Sequence, residues 1–198
     1  MKIILSSSNK DKISEIKEIL GDDYSYLTKE EAGFSDLDVE ENGSSLEENA
    51  FIKAKSIYDL ATDAAVFADD TGLFVEALDG NPGVHAARYA GDDATYQDNV
   101  EKMLDELKDI LDLKKRKAYF ETVICFIDPS GQAHYVQGQM HGYIAFEEIG
   151  DNGFGYDPIF IPEGQDRTLA QMSTQEKNKI SHRANALANF KSYLKENL

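Results

Sequence analysis

The stretch Lys2-Ile3-Ile4-Leu5-Ser6-Ser7-Ser8-Asn9-Lys10-Asp11-Lys12-Ile13-Ser14-Glu15-Ile16, running on to Gly21, holds a complete strand, turn and helix. Lys2 to Leu5 is a short apolar run that breaks on the polar turn Ser6-Ser7-Ser8-Asn9. From Asp11 onward Ile13, Ile16, Ile19 and Leu20 recur on one helical face, and Gly21 stops the pattern. A helix that starts directly after a strand aims free backbone N–H groups and the positive end of its dipole at the turn.

Working outward, Ser45 and Glu48 have the spacing of a capping box at the start of a second helix. Its buried stripe is Leu46, Ala50, Ala54, Ile57 and Ala61, while Asn49 and Lys53, four residues apart, share another face. A third helix runs from about Thr95, with Val100, Met103, Leu104, Leu107 and Leu111 at helical spacing. Strand signals occupy residues 65–67 and 73–75, flanking Asp69-Asp70-Thr71-Gly72. The longest β run covers 118–128; a turn at Pro129-Ser130-Gly131, a strand near 134–139 and a further strand at 143–146 follow. The tail from Ser173 has helical spacing through Ile180, Ala184, Leu187 and Phe190. Early helix–strand alternation with a central hairpin predicts an α/β fold on a mixed sheet. No linker or internal repeat divides the 198 residues, which predicts one domain over 1–198.

A net charge of −17, from 20 basic and 37 acidic residues, sets a field that repels polyanions, so binding of polymeric nucleic acid is not expected. A small anion needs only local positive groups, a metal ion or a helix N-terminus. Apolar runs are far shorter than the roughly 20 residues that span a bilayer, and Ile3-Ile4-Leu5 is too short for the core of a secretory signal. The single Cys125 sits in an apolar run without a disulfide partner and reads as a buried strand thiol. These features predict a cytoplasmic protein. His85, His134 and His141 lack ligand-like spacing for zinc.

Five segments have chemical content, and each has a structural reading beside it. Ser7 to Lys12 places hydroxyl, amide and ammonium groups at a helix mouth, where they hold a phosphate or simply cap the helix. Glu40-Glu41-Asn42-Gly43 precedes the second helix and either favours its dipole or supplies a metal carboxylate. Asp69 and Asp70, adjacent after an apolar strand, either cap a turn or divide metal binding and proton acceptance between them. In Asn152-Gly153-Phe154-Gly155-Tyr156-Asp157-Pro158 the glycines let the backbone approach a flat ligand, and Phe154 offers a stacking face; a plain turn also fits. Lys177 to Arg183 is a basic cluster, functional or a solvated helix face.

In order, these pieces resemble the family of inosine/xanthosine triphosphate pyrophosphatases. The matching stretches are Ser7-x-Asn9-x-x-Lys12, Glu41-x-Gly43, Glu48-Asn49-Ala50-x-x-Lys53-Ala54, Ala68-Asp69-Asp70-Thr71-Gly72-Leu73, Pro82-Gly83-Val84, Ala87-Arg88-Tyr89-Ala90-Gly91, Gly153-Phe154-Gly155-Tyr156-Asp157-Pro158 and Ser181-His182-Arg183. The resemblance implies a strongly twisted mixed sheet flanked by helices, with two lobes around a nucleotide cleft, and a homodimer. It implies Mg²⁺-dependent hydrolysis of ITP, dITP and XTP to monophosphate and pyrophosphate. Carried over by position, Ser7, Ser8, Asn9, Lys10, Asp11, Lys12 and Lys53 bind the triphosphate. Glu40 or Glu41, with Asp69 and Asp70, form the magnesium environment, and Asp70 is the proton acceptor. Thr71, Phe154, Gly155, Tyr156, Asp157, Lys177, His182 and Arg183 contact substrate, mostly around the base. Ser7 stands where threonine is usual and Thr71 where serine is frequent; both keep the hydroxyl, whereas Ala86 loses one. A related-fold pyrophosphatase for modified pyrimidine nucleotides and a non-catalytic nucleotide sensor are the alternatives.

Overall fold

In chain order the elements are β1 (Lys2–Leu5), α1 (Lys10–Leu20), β2 (Ser25–Thr28), α2 (Leu46–Tyr58), β3 (Ala65–Val75), β4 (Pro82–Gly83), α3 (Tyr96–Glu106), β5 (Lys117–Ile127), β6 (Ala133–Ile144), β7 (Phe160–Pro162), α4 (Thr174–Lys177) and α5 (His182–Asn197). The structure, a computed structural model, describes residues 2–21, 24–61 and 64–197. The strands are hydrogen-bonded in the order β2-β1-β3-β5-β6-β7, with β4 paired to β3. β1 runs parallel to β2 and β3, whereas β3–β4 and β6–β7 are antiparallel, so the sheet is mixed. The chain divides into two units: residues 1–70, 122–138 and 183–198 form the first, and residues 71–121 and 139–182 the second.

In the first unit the period-2 alternation of a strand sorts side chains onto two faces. Ile3 and Leu5 of β1, Ala65 and Phe67 of β3, and Ile124 and Phe126 of β5 pack with Ile16 and Leu20 of α1 and Leu187 and Phe190 of α5. The intervening Ile4, Val66, Ala68, Cys125 and Ile127 pack with Ala50, Ala54 and Ile57 of α2. Helices thus cover both sides of the sheet. Continuous apolar stretches such as 64–68 are what a strand buried on both faces requires. Burial pushes the Cys125 thiol up to about 12, so it is protonated at neutral pH.

A charged cluster ties the β5–β6 turn of this unit. The Asp128 carboxylate accepts from the Ser130 hydroxyl and amide at 2.5 and 2.7 Å and meets His134 Nε2 at 2.9 Å, while the His134 ring lies 4.9 Å from that of Tyr193 on α5. Partial burial pushes this carboxyl up, but the Ser130 and His134 contacts outweigh it and hold its pKa at about 2, against 3.8 ordinarily. A depressed carboxyl stabilises the fold above its unfolded pKa and loses that contribution as pH falls through its folded one. Asp128→Asn is therefore expected to melt below the parent at neutral pH, with the gap closing between about pH 4 and pH 2. Thermal melts across that range check it.

The second unit has its own core. Leu73 and Val75 of β3, Ala118 and Phe120 of β5, and Met140 and Ile144 of β6 pack against Val100 and Met103 of α3 and against Tyr156, Ile159 and Phe160. Arg116, fully buried here, donates to the carbonyls of Ile110 and Leu107 at 2.9 and 2.7 Å and also to that of Ala145, so its charge is met by carbonyl dipoles past the end of α3.

Several expectations are corrected. The two strand signals around Asp69-Asp70 belong to one strand, β3, and the aspartates lie inside it, not in a turn. Likewise 134–139 and 143–146 merge into β6, which ends at Ile144. Leu111 lies beyond α3 and is 81% exposed, so it does not extend that helix's apolar stripe. The capping box at Ser45 is half made: its hydroxyl accepts from the Glu48 amide, but the Glu48 carboxylate takes the amide and hydroxyl of Ser44. Short β2, β4 and β7 left no readable signal in so few residues.

Candidate active site

In the first unit β1 and β3 are parallel neighbours, and α1 and α2 lie on opposite faces of the sheet. In an open α/β sheet such a reversal opens a crevice at the carboxyl ends of the strands. Ser6 to Asn9 follow the end of β1, and Asp69 and Asp70 sit further along β3. Ser6 is fixed there by donating its amide to Phe67 O at 2.7 Å and its hydroxyl to Lys53 O at 2.8 Å. Asn9 is the N-cap of α1 and accepts from the amides of Asp11 and Lys12 at 3.0 and 3.1 Å, so the capping reading of this turn holds. Ser7 accepts from the Asn9 amide at 3.2 Å. Ser8, Lys10 and Asp11 are exposed around the helix mouth.

Because β3 is continuous, Asp69 and Asp70 point to opposite faces, each prolonging one of the apolar faces described above. On the α1/α5 side, Asp69 Oδ2 lies 3.3 Å from Lys12 Nζ and 3.7 Å from Arg183 Nε. Arg183 in turn pairs with Glu15 of α1. On the α2 side, Asp70 Oδ1 accepts from Lys53 Nζ at 2.7 Å and Oδ2 from Asn49 Nδ2 at 3.3 Å. Asn49 is oriented by its Oδ1, which accepts from the Gly43 amide at 2.8 Å. Lys53 also reaches Glu41 Oε2 at 3.0 Å, while Glu40 is exposed.

The two aspartates, both at least nine-tenths buried, differ in acidity. Burial pushes Asp69 up, but Lys12 and Arg183 outweigh it and hold its pKa at about 2. Burial raises Asp70 against the opposing pull of Lys53 and Lys12. Burial likewise lowers Lys12, while for Lys53 the charges of Asp70 and Glu41 overcome burial and raise it. Two neighbouring carboxyls pushed apart in acidity is the arrangement that divides a permanent anion from a proton acceptor.

In the second unit the loop carrying Phe154 is clamped by one carboxylate. Asp157 Oδ2 accepts from the Phe154 amide at 2.9 Å and from Lys177 Nζ at 2.6 Å, and both charged residues are buried. Gly153 has φ of +78°, and a Cβ there would stand 2.0 Å from Asp157 Oδ2, so only glycine fits. The Lys177 ammonium lies 4.6 Å from the centre of the Phe154 ring, a cation–π contact. Tyr156 turns inward and donates its hydroxyl to Ala86 O at 2.8 Å. His182 is buried and stacks on Phe120 at 4.6 Å and 19°. Thr71 opens this unit's share of β3.

The structure thus gathers Lys12, Glu41, Lys53, Asp69, Asp70 and Arg183 in the first unit and Phe154, Asp157 and Lys177 in the second. Arg183, grouped with the base contacts by resemblance, has its guanidinium on Glu15 and beside Asp69, although its neighbour His182 belongs with the second group. Glu15, Asn49 and Ser6 contact these groups without a sequence signal that marks them. Glu15 reads in sequence as one more helix-face acid, because its partner is 168 residues away.

An open α/β sheet with half-buried lysines set against two buried carboxyls defines an α/β protein with a preorganised charged site. The sequence profile of the Ham1 family matches residues 3–193. The chain belongs to this family. It is 43% identical over 199 residues to the dITP/XTP pyrophosphatase of Caldanaerobacter subterraneus, covering all of this chain and 98% of that one. It is 43% identical over 192 residues to the dITP/XTP pyrophosphatase of Bacillus subtilis, covering 96% of each. Among solved structures, the Ham1 protein of Staphylococcus aureus superposes with a TM-score of 0.88 at 39% identity over the full length of both chains.

Proposed function

We propose that this chain hydrolyses non-standard purine nucleoside triphosphates (ITP, dITP and XTP) to the monophosphate and pyrophosphate, with water attacking the α-phosphorus. The observation that carries the reading is the split aspartate pair, one ionised against Lys12 and the other raised beside Lys53. The names of the relatives support the substrate class.

Asp70 is the proton acceptor. Its Oδ1 shares the Lys53 ammonium with Glu41; polyphosphate oxygens compete for that ammonium and leave Asp70 to take a proton from water. Lys12, Lys53 and the mouth of α1, from Ser7 to Lys12, hold the triphosphate, favoured there by the positive end of the helix dipole. Asp69, anchored by Lys12 and Arg183, stays ionised throughout.

The cation is Mg²⁺. The oxygen donors Glu41 and Asp70 suit this hard ion, and Lys53 already places a positive charge between them, while Asp69, on the other face, adds its charge from Lys12's side. No group of three or more such ligands converges among the described residues; one or two carboxylates completed by substrate phosphates is the usual magnesium arrangement. When bound, the ion neutralises phosphate oxygens and steadies the leaving pyrophosphate. Glu41 serves this role rather than the exposed Glu40.

Phe154 to Asp157, Lys177 and His182 receive the base, with Thr71 close in sequence to the reacting end. The protein acts as a cytoplasmic homodimer, an assignment resting on the family resemblance. Incubation with dITP or XTP is expected to release pyrophosphate with Mg²⁺ and none with EDTA. Release of inorganic phosphate and a diphosphate product would overturn the reading, and metal-independent binding without turnover would make the chain a sensor.

A further inference from the structure

The first residue of α3 breaks the rules of a helix start. Position N1 favours acidic side chains or proline, and tyrosine is a middling helix former, yet Tyr96 stands there as a 45% exposed residue. A local rule that fails calls for a reason outside the helix itself. Here the ring has a specific neighbour: its centre lies 5.9 Å from that of Phe154, at an interplanar angle of 38°.

That placement is held from several sides within the second unit. Thr95 and Asp98 close a full capping box around Tyr96. Asn99, buried one turn on, donates to Ala87 O at 3.0 Å and accepts from the Ala90 amide at 2.7 Å. Gln97 donates to Glu148 at 2.8 Å. Phe154 is fixed by the Asp157–Lys177 clamp. An exposed ring and a partly buried one therefore form a preset corner. They already touch, so a flat ligand does not slip between them.

We propose that Tyr96 is a base-binding residue, its ring extending the Phe154 face on which the purine stacks. The inference rests on the reading of Phe154 as a base contact. Ring area drives such contacts, and stacking tolerates many bases because every base offers a π face. Tyr96 thus adds affinity for purines in general, while hydrogen bonds from the Phe154 loop choose among them.

The test compares Tyr96→Ala and Tyr96→Phe with the parent. Alanine keeps the helix, since the cap comes from Thr95 and Asp98. KM for dITP and Kd for inosine monophosphate, measured calorimetrically, are expected to rise about tenfold in Tyr96→Ala, with kcat unchanged and both constants near parental in Tyr96→Phe. Unchanged KM and Kd in Tyr96→Ala would overturn the proposal, as would an equal loss in Tyr96→Phe, which would assign the effect to the hydroxyl. If the parent binds inosine monophosphate but cleaves no triphosphate, the proposed function fails while the Kd comparison still decides the role of Tyr96.

Discussion

Asp70→Asn is expected to lower kcat by about 10²–10⁴-fold, the usual contribution of a positioned general base, while leaving binding of the Mg²⁺–nucleotide largely intact. The substitution is nearly isosteric. Asparagine keeps an oxygen for Lys53, which lies 2.7 Å from the aspartate and retains Glu41 as a second partner. The long 3.3 Å contact from the Asn49 amide is the one it gives up, because an amide NH2 cannot accept from it. What it cannot do is accept the proton of water. Steady-state turnover, together with calorimetric binding of the nucleotide to the variant, separates the two effects. Near-parental kcat in Asp70→Asn would remove this residue from the chemistry.

The second large effect is discrimination against ATP, expected to reach about 10⁴ in kcat/KM relative to dITP or XTP. Hypoxanthine and xanthine present an acceptor at O6 and a donor at N1; adenine reverses both. The Phe154 loop is a fixed set of donors. The Phe154 amide is committed to Asp157, and the Asp157 amide turns back to Phe154 O. The donors this loop is then proposed to offer O6 are the Gly155 and Tyr156 amides. An adenine amino group there leaves donors unmade in a dehydrated site, costing roughly 1–3 kcal/mol for each. Parallel kcat/KM measurements on dITP, XTP, GTP and ATP check this, and equal efficiency on ATP would contradict a donor-lined base site.

Much of this was legible in the chain. Periodicity located α1, α2 and α3 and the central hairpin, because their apolar stripes are long enough to show a 3.6 or 2 period. The aspartate pair is conspicuous because two charges after Ala64-Ala65-Val66-Phe67-Ala68 are costly, but its place inside β3 is not legible. Two acids interrupting an apolar run look like a strand end; only cations brought from α1, α2 and α5 allow the strand to continue through them. Glu15 and Arg183 show the limit more sharply, since a buried ion pair spanning the chain has no local signature. Adjacent Glu40 and Glu41 look alike in sequence and differ only in the fold, where Lys53 meets Glu41. Tyr96 had a weak signal, an aromatic at a helix start, which gained meaning only from its contact with Phe154.

The claim on which the rest depends is that water, with its proton taken by Asp70, attacks the α-phosphorus. Hydrolysis of dITP in water enriched in heavy oxygen, with both products analysed by mass spectrometry, tests it most directly. The account predicts the label in the nucleoside monophosphate and none in the pyrophosphate. Label in the pyrophosphate would place the attack at the β-phosphorus and contradict it.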